Sequence, residues 1–183
     1  MKWISTSFFL FILIFITSNC FSQEKKFIYD KNGLTPFVVT DVDNKSLKEI
    51  YQKSVNWIKE TYKNPDIVIK AQIEDESIRF EGISNKVAVV YDGFGGKGFY
   101  DVKYSIKISV KDHKYKFEII EFELLNCPIK KNGWNPSDKS FFKEDGSPRK
   151  PWKDYPKSIE TLFDELNNSL KNYIIKDSKK DNW

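Results

Sequence analysis

The 183-residue chain holds few of the residues that most often carry chemistry: one histidine, two cysteines and one methionine. A lone imidazole cannot form a histidine metal pair, and with no cysteine cluster a structural zinc site is excluded. His113 sits in the lysine-rich stretch Lys111-Asp112-His113-Lys114, which reads as an exposed turn rather than as the base of a Ser-His-Asp arrangement. Eight glycines and seven prolines are too few for collagen or low-complexity disorder. Neither sign of charge dominates, with 30 Lys+Arg against 26 Asp+Glu. Nor is there an apolar run of the roughly 20 residues that a membrane-spanning helix needs.

The longest such run is Phe8–Ile16, nine residues that follow Lys2 and give way to Thr17, Ser18 and Asn19. That pattern predicts a secretory signal peptide over 1–22, cleaved after Ser22 to leave a chain starting at Gln23. In the alternative, Cys20 becomes a lipidated N-terminus, although Asn19 stands where lipoprotein leaders carry a small residue. The expected address is periplasmic or secreted. Without the leader one cysteine remains, Cys127, which follows the apolar Phe122, Leu124 and Leu125 and is expected to be buried.

The remaining chain reads as one domain over 23–176 with a frayed polar tail at 177–183. Residues 26–43 look extended. A helix follows, opened by a capping box of Ser46 and Glu49, carrying Leu47, Ile50, Tyr51, Val55, Ile58 and Tyr62 at helical spacing, and stopped by Asn64-Pro65. Four strand signals come next: 67–73, 78–81, 86–91 and 100–110, the last alternating over six apolar positions. After the Asp112-His113 turn the apolar phase shifts between Ile119 and Ile120, which predicts a β-bulge. A last helix carries Ile159, Leu162, Phe163, Leu166, Leu170, Tyr173 and Ile174, with Ser158 as its cap. The order predicts an α+β fold, a curved antiparallel sheet with two helices packed on one face.

Gly33-Leu34-Thr35, Ile50-Tyr51, Trp57-Ile58, Tyr62-Lys63-Asn64-Pro65 and the turn Val110-Lys111-Asp112-His113-Lys114-Tyr115 form an ordered series. Over about residues 27–124 it resembles the exported domain of unknown function 4468, typical of Bacteroidota. The resemblance implies a TBP-like fold and an exported location, and no activity. Its turn usually reads Asp-Gly; His113 here replaces the glycine. The TBP likeness does not imply DNA binding. Outside 126–156 the mature chain is charge-balanced, and no nucleic-acid partner is expected.

Residues 126–156 hold five prolines, Trp134, Phe141, Phe142, Trp152 and Tyr155, and seven Lys/Arg against four Asp/Glu. Connections this long either pack on their own domain as an Ω-loop or carry function. The sharper expectation is a binding surface for an envelope protein, a glycan or an anionic surface. Trp134, Phe141, Phe142 and Trp152 would be the contacts, and Lys130, Lys131, Arg149 and Lys150 the charged rim. No cofactor, metal or catalytic residue is expected. A second hypothesis makes the chain a carboxylate-dependent hydrolase using Glu121 and Glu123, which needs a concave pocket around both. Gly93-Phe94-Gly95-Gly96-Lys97-Gly98 invites a phosphate-loop reading, but a strand rather than a helix follows it, so it reads as a connection between strands.

Overall fold

A computed structural model describes residues 26–92, 94–127 and 140–176. The expected leader, with Cys20, and the 177–183 tail lie outside the described residues, as do Lys130, Lys131 and Trp134. A small ribbon of β1 (Tyr29–Asp30) and β2 (Gly33–Leu34) leads to β3 (Phe37–Asp41) and helix α1 (Leu47–Thr61). One helical turn, α2 (Pro65–Val68), precedes β4 (Ile69–Ile73), β5 (Ser77–Tyr91), β6 (Lys97–Lys111) and β7 (Lys114–Leu125). A 3-10 turn (Lys150–Trp152) and helix α3 (Tyr155–Ile175) complete the order.

Helix α1 begins where its cap chemistry dictates. Ser46 is extended, and its hydroxyl accepts from the Glu49 N–H at 3.3 Å. The reciprocal half of the box is not made, because the Glu49 carboxylate turns to Lys45 at 2.8 Å. The Leu47 N–H instead donates to the Asp112 carboxylate at 2.8 Å, so the β6–β7 turn caps the helix from across the fold. Within that turn His113 takes φ +65 and its carbonyl accepts from the Val42 N–H.

The five-stranded sheet runs β3-β7-β6-β5-β4, antiparallel throughout. Its inner face presents Phe80, Tyr104, Ile106, Ile108, Phe117 and Phe122 to the two helices, all buried. From α1, Trp57 packs on Phe80 with ring centroids 5.7 Å apart, and its indole N–H donates to Ser169 on α3 at 3.1 Å. From α3, Phe163 lies between Tyr104 and Phe122, at 6.1 and 5.3 Å. The phase shift is resolved as expected. Ser105 pairs Glu121 and Ile106 pairs Ile119, which leaves Ile120 as the extra residue, turned outward.

Two expectations are corrected. Segments 78–81 and 86–91 are one strand, β5, with a register shift between Ser84 and Ala88. Lys86 takes φ +55 there, and its N–H donates to the Asp101 carboxylate of β6 at 2.8 Å. Ser158 does not cap α3, which starts at Tyr155 with Pro156 in its first turn. The Ser158 hydroxyl donates to the Tyr155 carbonyl at 2.7 Å and accepts from the Val89 N–H at 3.2 Å. Beyond the end of β4, this bond ties the outer edge of β5 to α3.

Candidate functional site

The described aromatics of the long connection face inward, which corrects their expected role as contacts. Phe141, Phe142 and Trp152 are only 2%, 5% and 8% exposed. Phe141 meets Trp152 edge-on at 4.6 Å and Tyr155 at a tilt at 5.1 Å, while Phe142 meets Tyr29 at 5.7 Å. The backbone closes around them: the Arg149 N–H donates to the Phe141 carbonyl at 2.7 Å, and Phe142 bridges Pro148. Burial of each large side chain contributes about 1.5–3 kcal/mol, which is why residues this apolar close the core when a surface lies within reach. Arg149 and Lys150 are exposed, as the charged rim requires, but the aromatics they were to flank are inside.

Other candidates settle simply. The glycine-rich connection is a hairpin turn, and the Asp92 carboxylate accepts from the Phe94 and Gly96 N–H groups at 2.9 and 2.7 Å. The chain's own carboxylate thus takes the place of an anion. Phe94 stands fully exposed at its tip. Glu74-Asp75-Glu76 form the β4–β5 turn; burial, and then the charges of Glu74 and Asp75, push the Tyr51 phenol up. Cys127 is buried.

The outer face of the sheet is different. Its register sets Glu81, Ser105 and Glu121 in one row across β5, β6 and β7, and Ile83, Lys103 and Glu123 in the next. Neighbouring strands lie about 4.8 Å apart, so the backbones of Glu81 and Glu121 flank Ser105 across about 10 Å. A cavity of about 190 Å³ opens there, lined by Glu81, Lys103, Ser105, Glu121 and Glu123. Lys70 reaches Glu81 and Lys103 reaches Glu123, each at 3.5 Å. Glu121 has no ion-pair partner among the described residues. Ser105 is 2% exposed, lines this cavity, and its hydroxyl has no hydrogen-bond partner among the described residues.

Next to this cavity, sharing Glu81 and Lys103 as a wall, lies an apolar groove of about 500 Å³. Tyr62, Ile67, Val68 and Ile83 line it, with Lys63 and Lys70 at its margin. Beneath it the Tyr62 and Tyr104 hydroxyls meet at 2.9 Å. Burial, with the Tyr104 phenol alongside, holds the Tyr62 proton far above the ordinary phenol range. Glu121 and Glu123 were expected as a pair, and they do share the cavity. Sequence reasoning missed Glu81 and Ser105. No local signal marks them; the bulge at Ile120 and the strand pairing bring them to Glu121. No group of three or more His, Cys, Asp or Glu among the described residues converges as a metal site.

Comparison with known proteins agrees with this architecture. Residues 37–124 match the family described as a domain of unknown function (DUF4468) with TBP-like fold. The fold is similar to the crystal structure of a DUF4468 family protein from Bacteroides ovatus, with a TM-score of 0.63 at 15% identity, over 81% of this chain and 90% of that one. A TBP-like protein from Parabacteroides distasonis aligns with a TM-score of 0.46 at 18% identity, over 74% of this chain and 91% of that one. No curated protein matches the sequence. The segment that matches the DUF4468 family with its TBP-like fold is thus the one from β3 through β7, which builds the sheet and lays α1 on it.

Proposed function

We propose that the protein is an exported, non-enzymatic binding module of the cell envelope, and that it recognises its partner with the open face of the sheet. The observation that carries this reading is the cavity at Glu81, Ser105 and Glu121, where the unpartnered hydroxyl of the otherwise buried Ser105 and an unpaired carboxylate share one opening. Buried polar groups in folded proteins almost always find partners, so an opening of this kind is suited to receive one. The apolar run at 8–16 supports export. No helix among the described residues is long and apolar enough to cross a membrane.

Capture from native envelope extract tests the surface. The full chain and an Arg149→Ala/Lys150→Ala variant are expected to hold the same partner, and a Glu81→Gln/Glu121→Gln variant to lose it. Loss in the Arg149/Lys150 variant alone, or in neither, overturns the assignment. Fractionation with N-terminal sequencing tests the address: Gln23 is expected as the first residue of an envelope or secreted form, a lipidated Cys20 marks the anchored alternative, and intact cytoplasmic protein overturns export.

A second reading, a carboxylate-dependent hydrolase, is favoured by Glu121 and Glu123 opening to one cavity. Against it, Glu123 is engaged by Lys103. It requires that Glu121→Gln abolish turnover of an envelope glycan while leaving its binding intact.

A further inference from the structure

Resting on the open sheet face as the recognition surface, we infer that the cavity at Glu81, Ser105 and Glu121 is a subsite for a primary ammonium group on an aliphatic chain, with the chain lying in the adjoining groove of Tyr62, Ile67, Val68 and Ile83. The charges favour one cation. Glu81 has Lys70 and Glu123 has Lys103, so among these five groups Glu121 is the excess negative charge. Arg79 and Lys107, in the next row of the sheet, limit the site to that single positive charge.

The hydrogen-bond geometry favours an ammonium. Its three N–H donors match three acceptors set around one opening: a carboxylate on either side and the Ser105 hydroxyl between them. Ser105 is 2% exposed, lines this cavity, and its hydroxyl has no partner among the described residues. Size narrows the choice further. A cavity of 190 Å³ holds about six waters at about 30 Å³ each, enough for a head group and its first methylenes but not for a sugar ring with its hydration. The groove that shares its wall is lined mainly by apolar atoms, which suits the rest of an alkyl chain.

A free alkylamine and a lysine side chain carry the same chemistry. Calorimetric titration of the full chain with hexylamine, and with an acetylated, amidated Gly-Lys-Gly peptide, separates the two sources. Saturable binding of at least one is expected, with hexanol and hexanoate silent. Glu121→Gln and Glu81→Gln are each expected to weaken binding about tenfold, the size of one charge-assisted hydrogen bond. Ser105→Ala should weaken it less, and Glu118→Gln should leave it unchanged; thermal melts confirm that each variant is folded. The inference is overturned if neither amine binds, if hexanol or hexanoate binds as well as hexylamine, or if Glu118→Gln weakens binding as much as Glu121→Gln. Should envelope capture depend on Glu81 and Glu121 while no amine binds, the ligand class falls and the binding surface stands. If hexylamine binds at these residues but capture ignores them, the surface assignment falls instead.

Discussion

The two faces of the β6–β7 pair are made from the same strands and obey opposite rules. Toward the helices, Tyr104, Ile106, Phe117 and Phe122 are buried under Phe163 and its neighbours. Toward solvent, Lys103 and Glu123 pair across strands in one row, while Glu121 stands opposite Ser105 in the next. One residue lets both faces persist. Ile120 lies outside the pairing, so Phe122 and Leu124 continue the inner face that Tyr115 and Phe117 began. The comparison teaches that packing constrains the inner face at every position, whereas the outer face is constrained only where side chains meet in a row.

The strongest way to break this difference is to delete Lys107 from the regularly alternating part of the central strand β6. Side chains on one side of the gap would change face, turning either Tyr104 and Ile106 or Ile108 and Val110 outward, and loss of the cooperative unfolding transition is expected by circular dichroism. Phe163→Ala removes the ring that joins the two inner strands and should cost about 3–5 kcal/mol in urea denaturation. Trp152→Ala sharpens the contrast between loop and core. A free contact residue would leave stability unchanged, whereas the edge-on packing against Phe141 and Tyr155 implies a loss of about 3 kcal/mol by the same measurement. Smaller again, Gly82→Ala would set a Cβ 2.6 Å from the Tyr104 ring, an overpacking cost of about 1–3 kcal/mol. At the far end of the scale, Lys116→Ala on the outer face should shift stability by no more than about 1 kcal/mol, although its ammonium lies 2.8 Å from Glu118 and 5.2 Å above the Phe37 ring.

Alkaline pH separates the faces by another route. Tyr62 keeps its proton in the fold because its phenol is buried beside Tyr104. The unfolded chain ionises near pH 10, so it binds fewer protons than the folded state above that point. Stability is therefore fully present below about pH 10 and falls as pH rises beyond it. Tyr62→Phe should flatten that fall, as read from urea midpoints at pH 9 and pH 11. Tyr173, whose phenol is pushed up to about 12 by partial burial and by donation to Glu60, shares the sign of the effect.

Local chemistry made much of the fold legible: the Ser46 start of α1, the alternation of β6 and the phase change at Ile119-Ile120 each lie within a few residues. The continuity of β5 does not. Ser84-Asn85-Lys86 reads as a break, and the partner that carries the strand through it, the Asp101 carboxylate, belongs to another strand. The long connection shows the same limit. Its aromatic content announced packing, but direction depends on Tyr29 and Tyr155, far apart in sequence. The candidate site was half visible. Glu121 and Glu123 stood out as a pair, while Glu81 and Ser105 are ordinary outward positions until register aligns them.

The Ser158 hydroxyl that takes the Val89 N–H has a consequence for how copies of this protein meet. An uncovered strand edge invites another chain to extend the sheet, a hazard at the concentrations of a crowded compartment. Here β4 is short, β5 is kinked at Lys86, and beyond the kink a helix side chain occupies the Val89 donor. Along that margin neighbouring molecules can press together without their sheets fusing into one.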